Sequence, residues 1–505
     1  MRGRLNFRPM QKIMMKEETE MKRMPNESRQ WIFGSASWKS LLLMVVVIAA
    51  GPGILLALLG GAEPVLAQEY IGNQEAVPES VDQITSPIEL SFQEKREIPR
   101  FFPWLKEQLK DTPAFFRDTK LNLNFRTYYF YREKYDDTVS TAWALGGALS
   151  YQSGWFLDHF GMGAVLYTSQ PLYAPDDKDG TLLLKPGQEG YTVVGQLYGR
   201  VKLIDDNFIN IYRYEYNTPF INKNDNRMTP NTFEGYTFNG AYGGKDGALG
   251  FNYGGGYITK IKERNSDSFK WMSQDAGADV KRGVGVGGGK VSYKGLSFGA
   301  IDYYSDDIIN IFYTEGSYKL PKLPWMDRLG LLFSAQFTDQ RSVGDDLLTG
   351  SSFKTNQVGV KSDISYGGAI LTLGYTHTSR GADMQSPWSG YPGYTSVQVQ
   401  DFNRAGEDAF MVKSSYDFTR LGLKGVTAYT LWVHGWGRVD PSTKESVPNE
   451  NEFDADAQWR PEWKFLKGLW FRVRYANVHQ YEGPHSSNNA INDFRVIVNY
   501  DWPLL

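Results

Sequence analysis

Two arginines alternate with apolar residues in "LWFRVRYANV", at Arg472 and Arg474, and the same spacing recurs at Arg200 and Lys202. A guanidinium can grip a carboxylate through two parallel hydrogen bonds, so a row of them offers an anion several neighbouring sites. Arg126 and Arg213 lie in further alternating segments and complete a candidate basic ladder. Such sites suit transit, because conduction needs each site to release what it holds. Asp225, with Glu215, could supply the facing carboxylates, and the resulting transverse field would orient a zwitterion. The same spacing also fits arginines that simply pair with Asp or Glu inside a packed wall.

Little in the chain suits bond-making chemistry. There is no cysteine, which excludes disulfides, thiolate metal sites and a cysteine nucleophile. His159, His377, His434, His479 and His485 show no metal-ligand spacing. Gly283, Gly285 and Gly288 match a dinucleotide-loop string, but no βαβ unit surrounds them. Val291 stands where a phosphate loop needs Ser or Thr, so "GVGVGGGKV" reads as a strand of small residues. No nucleophile motif is visible, and no cofactor is implied.

The elements that must carry these side chains read as strands. In "LNLNFRTYYF", Leu121, Leu123 and Phe125 share one face, and Asn122, Asn124 and Arg126 the other. In "VVGQLYGRVKL", Val193, Leu197, Val201 and Leu203 oppose Gln196, Arg200 and Lys202. Phe471, Val473 and Tyr475 oppose Arg472, Arg474 and Ala476, and Phe494, Val496, Val498, Tyr500 and Trp502 oppose Arg495, Asn499 and Asp501. A period of two marks strands with one apolar face. "INIYRYEY" is apolar or aromatic on both faces, which leaves Arg213 the least defined of the six cations.

A soluble sandwich would alternate in the same way, so a magnitude decides between the two. An arginine on the lipid side of a membrane barrel costs roughly 2–4 kcal/mol at mid-membrane, so cations should share the polar face. They do so in four segments, and Tyr and Trp cluster near segment ends, as interfacial girdles require. The fold expected is therefore all-β, a transmembrane antiparallel β-barrel over residues 115–505, with room for roughly 16–20 strands at about 10 residues each plus turns. A barrel of that size encloses water.

Export fits this fold. Residues 1–67 read as a signal peptide: a basic leader, an apolar run from Leu41 to Leu59 broken at Gly51-Pro52-Gly53, and cleavage after Ala67. That leader holds 9 of the 54 basic and 5 of the 57 acidic groups, so the remainder has a net charge of −7, which argues against nucleic-acid binding. Residues 68–114 read as a periplasmic lead-in with one short helix around "PWLKEQLKD". The setting is the outer membrane, with its lipid, lipopolysaccharide and barrel assembly machinery as partners and small solutes as cargo. The pairs Asp176-Asp177 and Asp345-Asp346 fall in expected outer loops.

"NTPFINKNDNRMTPNTFEG", residues 217–235, interrupts this pattern. A hairpin turns in two to five residues, and loops beyond about a dozen are usually functional or disordered. Pro219 and Pro230 lack a donor that would need satisfying, and the asparagines can bond their own backbone. Backbone of this kind can fold back into a wet lumen and narrow it. The constriction would then be built from Asn217, Lys223, Asp225, Arg227, Pro230 and Phe233. Composition alone equally allows an ordinary outer loop.

"NDNRMTPNTFEG", "FFRDTKLNLNFRTYYFYRE", "WALGGALSYQSGWF" with "GMGAVLY", and the closing "INDFRVIVNYDWPL" resemble the OprD-like outer-membrane porins. The resemblance is scattered over residues 115–505 and implies an 18-stranded, monomeric barrel. It also implies a third loop folded inward and a row of lumen arginines facing an acidic pocket, passing amino acids, peptides or organic acids by passive diffusion. The long N-terminal segment and the final Leu505 depart from the family pattern. An outer-membrane barrel enzyme of the lipase or protease type, or an adhesive barrel without a usable pore, are the competing functions.

Overall fold

The computed structural model describes residue 98 and residues 100–505, apart from 245–246, 322–327, 464–465 and 482–488. The leader, the cleavage point at Ala67 and most of the lead-in lie outside the described residues. Alternating side chains favour extended backbone, and over half of the described residues lie in strands. The strands are β1 (Lys120–Glu133), β2 (Val139–Gln152), β3 (Phe160–Tyr173), β4 (Tyr191–Ile204), β5 (Asn207–Tyr214), β6 (Thr232–Gly243) and β7 (Gly250–Lys262). There follow β8 (Lys270–Trp271), β9 (Val284–Tyr293), β10 (Leu296–Ser305), β11 (Ile309–Lys319), β12 (Leu329–Arg341) and β13 (Lys354–Tyr366). The series ends with β14 (Ala369–Thr378), β15 (Asp408–Asp417), β16 (Val426–Trp436), β17 (Glu450–Trp459), β18 (Leu469–Gln480) and β19 (Ala490–Pro503).

All pairings are antiparallel, and β1 bonds to both β2 and β19, so the sheet closes on itself. Two-residue β8 sits beside the outer end of β7, whose remaining length pairs with β9. Eighteen long strands therefore form the wall, and closure leaves no edge unpaired. The ends are unequal. One carries tight turns at 205–206, 294–295 and 367–368; the other carries connections of 174–190, 215–231, 263–283 and 379–407. Short turns face the periplasm in barrels of this kind. Lys294 and Gly295 both have positive φ, 46° and 83°, the mirror-image turn that matches the twist of its strands.

Facing is set by register. On β19, Asp493, Arg495, Ile497 and Asn499 are buried inside, while Phe494, Val496 and Val498 alternate outward. Leu145, Leu166, Phe298, Val358 and Trp432 lie exposed on the outer face, where lipid would cover them. Gly195 corrects one expectation. A bulge there pairs Val165 with Gln196 but Leu166 with Val194, so Val193 lies opposite inward-facing Tyr167 rather than on the lipid face.

The lead-in forms two short helices, α1 (Pro103–Gln108) and α2 (Ala114–Arg117). Expected as barrel from Phe115, the wall instead starts at Lys120. Just before α1, the Phe101 and Phe102 amides donate to the carbonyls of Pro503 and Leu504 at 2.9 and 3.0 Å, against the seam where β19 meets β1. Pro503 is the last residue of β19, where its missing donor costs nothing.

The largest apolar cluster is inside the barrel. Phe220 and Ile221 from the 215–231 connection pack with Trp388 and Tyr391 from 379–407, against Tyr303 of β10 and Tyr313 of β11. Each large apolar side chain so buried contributes about 1.5–3 kcal/mol. Both long connections are thus fixed within the bore.

Candidate functional site: a charged bore narrowed by two loops

The first narrowing element is the connection 215–231. Phe220, Ile221, Asn222, Arg227, Met228, Thr229 and Asn231 are buried, so it folds inward and is not a solvent loop. Asp225 is held by Arg126 of β1 through both carboxylate oxygens, at 2.5 and 3.0 Å. The same guanidinium donates to the Arg227 carbonyl at 2.6 Å and to Asn499 at 2.8 Å. Burial pushes the Asp225 carboxyl up, but Arg126 outweighs it and holds the group below its ordinary range. Lys223 is half-exposed, 4.0 Å from Glu215, and burial pushes the Glu215 carboxyl up. Asn217 lines the cavity beneath the loop, and Pro230 is buried. Phe233 belongs to β6 rather than to the loop, and packs in the apolar cluster.

Sequence reasoning missed the second narrowing element, residues 379–407. Ser389 donates to the Phe220 carbonyl at 2.7 Å and accepts from the Asn222 amide at 2.9 Å, joining the two loops. The Trp388 indole donates to the Met272 carbonyl at 2.9 Å, while Tyr391 and Tyr394 reach Gln357 and Glu315 on the wall. The tip is pinned to β17: the Val399 and Gln400 amides each donate to Glu452 at 2.7 Å, and the Gln398 amide donates to Asp454 at 3.2 Å. Its signal was present in the sequence, a long break in alternation with Pro387 and Pro392.

The wall from β17 through β19 to β1 carries the charge. Arg472 and Arg474 of β18 share Asp456 of β17, at 2.7 and 2.9 Å. Asp493 of β19 accepts from Arg132 of β1 at 2.7 Å and from Arg495 at 2.6 Å. Three guanidiniums, those of Arg132, Arg227 and Arg495, lie 5.3, 4.9 and 5.1 Å from the buried ring of Phe130. Arg264 bonds Asn226 of the loop nearby. Burial first, and then the charges of Arg495 and Arg264, push the Arg227 guanidinium well down from its ordinary value. Cations are crowded here beyond the carboxylates that face them.

The six expected ladder members therefore do not form one row. Arg126, Arg472 and Arg474 lie on this wall. Lys202 sits by the short-turn end, paired with Asp205 at 3.0 Å. Arg213 pairs with Glu234 at 3.4 Å, between the rings of Tyr212 and Phe269. Tyr212 has φ +81°, which upsets the alternation, and Tyr214 rather than Arg213 lines the cavity. Arg200 lines that cavity on β4, away from the other arginines. Glu450, Glu452, Asp454 and Asp456, a row of carboxylates on β17, were missed, as were Arg132, Arg264 and Arg495 as members of the cluster. Among the described residues no cluster suited to a metal ion is found.

A closed barrel with an apolar exterior and a charged bore narrowed by loops is a membrane diffusion channel of the porin class. The chain belongs to the OprD family of outer membrane porins, whose model matches residues 113–504. It is similar to Porin D of Pseudomonas aeruginosa, 24% identical over 432 residues, covering 78% of this chain and 93% of that protein. Solved structures share the fold. OccK9 (OpdG) of Pseudomonas aeruginosa superposes with a TM-score of 0.67 at 22% identity, covering 78% of this chain and 100% of that one. Pseudomonas aeruginosa OpdK with vanillate gives 0.65 at 20% identity, covering 77% and 100%. OccAB3 of Acinetobacter baumannii gives 0.68 at 20% identity, covering 76% and 99%. As an OprD-family porin, the protein resides in the outer membrane.

Proposed function

We propose that this porin admits small solutes bearing a carboxylate, by passive diffusion, with size set by the loops 215–231 and 379–407 and charge selection by the β17–β19–β1 wall. The observation that carries this reading is the cation crowding around Phe130, where three guanidiniums have Asp493 between them. A bound carboxylate would relieve that repulsion and gain bidentate bonds, while the neighbouring Asp225, Asp454 and Asp456 keep the sites weak enough to release it. OpdK was solved with vanillate, an aromatic carboxylate, and a solute of that kind is consistent with this class. Passage needs no chemical step and no cofactor.

The test is carboxylate uptake by proteoliposomes holding wild type or Arg472→Ala with Arg474→Ala. The double variant should take up carboxylates more slowly and favour anions less. Unchanged selectivity and uptake would remove that pair from the path.

A further inference from the structure

Beneath the 215–231 loop, toward the short-turn end, a cavity of about 730 Å³ opens against β4 to β11, away from the arginine-rich wall. Its lining differs in kind from that wall. Gly254, Gly255, Gly288 and Gly299 give it depth, and Tyr198 and Tyr214 meet edge to face at 4.7 Å along one side. The Tyr198 ring keeps its place because β3 has Gly163 there: a Cβ at that position would lie 2.4 Å from the ring.

Arg200 stands in this cavity, and among the described residues it has no carboxylate partner within ion-pair distance, unlike Arg126, Arg472 and Arg474. Its guanidinium lies 3.7 Å over the ring of Phe208, which in turn stacks on Trp155. A stacked guanidinium is held by its face and leaves its edge donors free. Among the described residues its Nε is buried without a hydrogen-bond partner, and so is Oδ1 of Asn210, the residue directly across the β4–β5 pairing. Both residues are more than nine-tenths buried and line the cavity. Buried donors in folded proteins are almost always satisfied, so the Arg200 Nε–H points to a missing acceptor.

We infer that Arg200 is the cation of a carboxylate subsite on the exit side of the loop, with the solute's planar apolar body lying against Tyr198 and Tyr214. It rests on the diffusion-channel reading above and adds a second station beyond the arginine-rich wall. The other charged groups lining the cavity are Lys223 and Lys290 against Glu215 and Glu315. Glu215 faces Lys223, and Glu315 accepts from Tyr313 and Tyr394, which leaves Arg200, with Lys290 of β9 as a second cation on the lining, to take an anion.

The experiment uses the full chain in planar bilayers, with benzoate added from the short-turn side and the concentration that half-blocks the current measured. Benzamide is the neutral probe. Arg200→Gln should raise the half-blocking concentration of benzoate at least about tenfold, the loss expected for a charge-assisted bidentate contact, and leave benzamide unchanged. Asn210→Asp supplies an internal carboxylate beside Arg200 and should weaken benzoate likewise; Arg200→Lys should lose less. Retention of the compact, heat-modifiable band on gels shows that each variant folds. Unchanged benzoate block in folded Arg200→Gln or Asn210→Asp overturns the subsite, as does a wild-type channel that benzoate never blocks. A wild type blocked by benzoate that nevertheless takes up carboxylates no faster than neutral solutes would leave the subsite standing and defeat the wider reading.

Discussion

Arg126 on β1 and Asp225 in the inward loop meet through both carboxylate oxygens, joining positions 99 residues apart across the bore. The pair does two jobs, anchoring the loop and setting the local field, and the two are separable by substitution. Arg126→Ala leaves the Asp225 carboxylate, which is partly exposed to the bore, without its cation. Hydrogen bonds to a charged group contribute about 1.5–3 kcal/mol each, enough to loosen the loop. Larger single-channel conductance with weaker anion preference is expected, read from current steps and reversal potential in a salt gradient. Asp225→Ala should also raise conductance, but shift selectivity toward anions.

The Arg472, Arg474 and Asp456 group carries one net positive charge; the double alanine variant inverts it. A charge roughly 8 Å from the permeation path is worth on the order of 1 kcal/mol after screening, so the anion-to-cation ratio should fall roughly fivefold. Reversal potentials measure it, and the effect should shrink as salt rises.

Glu452 fixes the tip of the second loop through two backbone amides at 2.7 Å. Each such hydrogen bond contributes about 0.5–1.5 kcal/mol. Glu452→Ala should therefore free residues 398–400, giving higher conductance and more frequent current flicker, with the melting temperature of the barrel largely retained.

Glu407 closes the same loop where it re-enters the wall. Burial, against the weaker opposing pull of the Arg404 amide and of Arg438, pushes its carboxyl up to about 7. An acid whose folded value is raised gains stability from staying neutral, and that gain is lost as pH rises from its ordinary range through about 7. The unfolding temperature should fall between about pH 4.5 and 7, and Glu407→Gln should flatten that portion of the profile.

Gly147 on β2 has φ +137°, and a Cβ there would lie 1.9 Å from the Asn124 carbonyl oxygen of β1. Backbone strain of about 1–3 kcal/mol would add to this clash. Gly147→Val should sharply reduce the folded, heat-modifiable fraction on gels, while an outward change such as Val358→Leu should not.

Much of the barrel was legible in the chain, because lipid on one side and water on the other impose a period of two that survives in Leu121–Arg126 and Phe494–Asp501. That 215–231 is an unusual loop was legible from its length and its prolines, while its inward fold was implied only by the family resemblance. What failed was anything set by a backbone event or by distant register. The bulge at Gly195 turns Val193 inward, and the positive φ of Tyr212 takes Arg213 out of the cavity lining; neither leaves a mark in hydrophobic spacing. The pairing of Arg472 and Arg474 with Asp456 needs the β17–β18 register, although the carboxylates at 450, 452, 454 and 456 already alternated in plain sight. The 379–407 loop was readable by the rule that exposed the first one.

The most direct measurement is the initial uptake rate of two solutes of equal shape, benzoate and benzamide, into liposomes containing the wild-type protein. Faster entry of the carboxylate by several-fold, lost as Arg472 and Arg474 are replaced, is the expected result. Equal entry of the two, or faster entry of the amide, would contradict carboxylate selection by the guanidinium-lined wall.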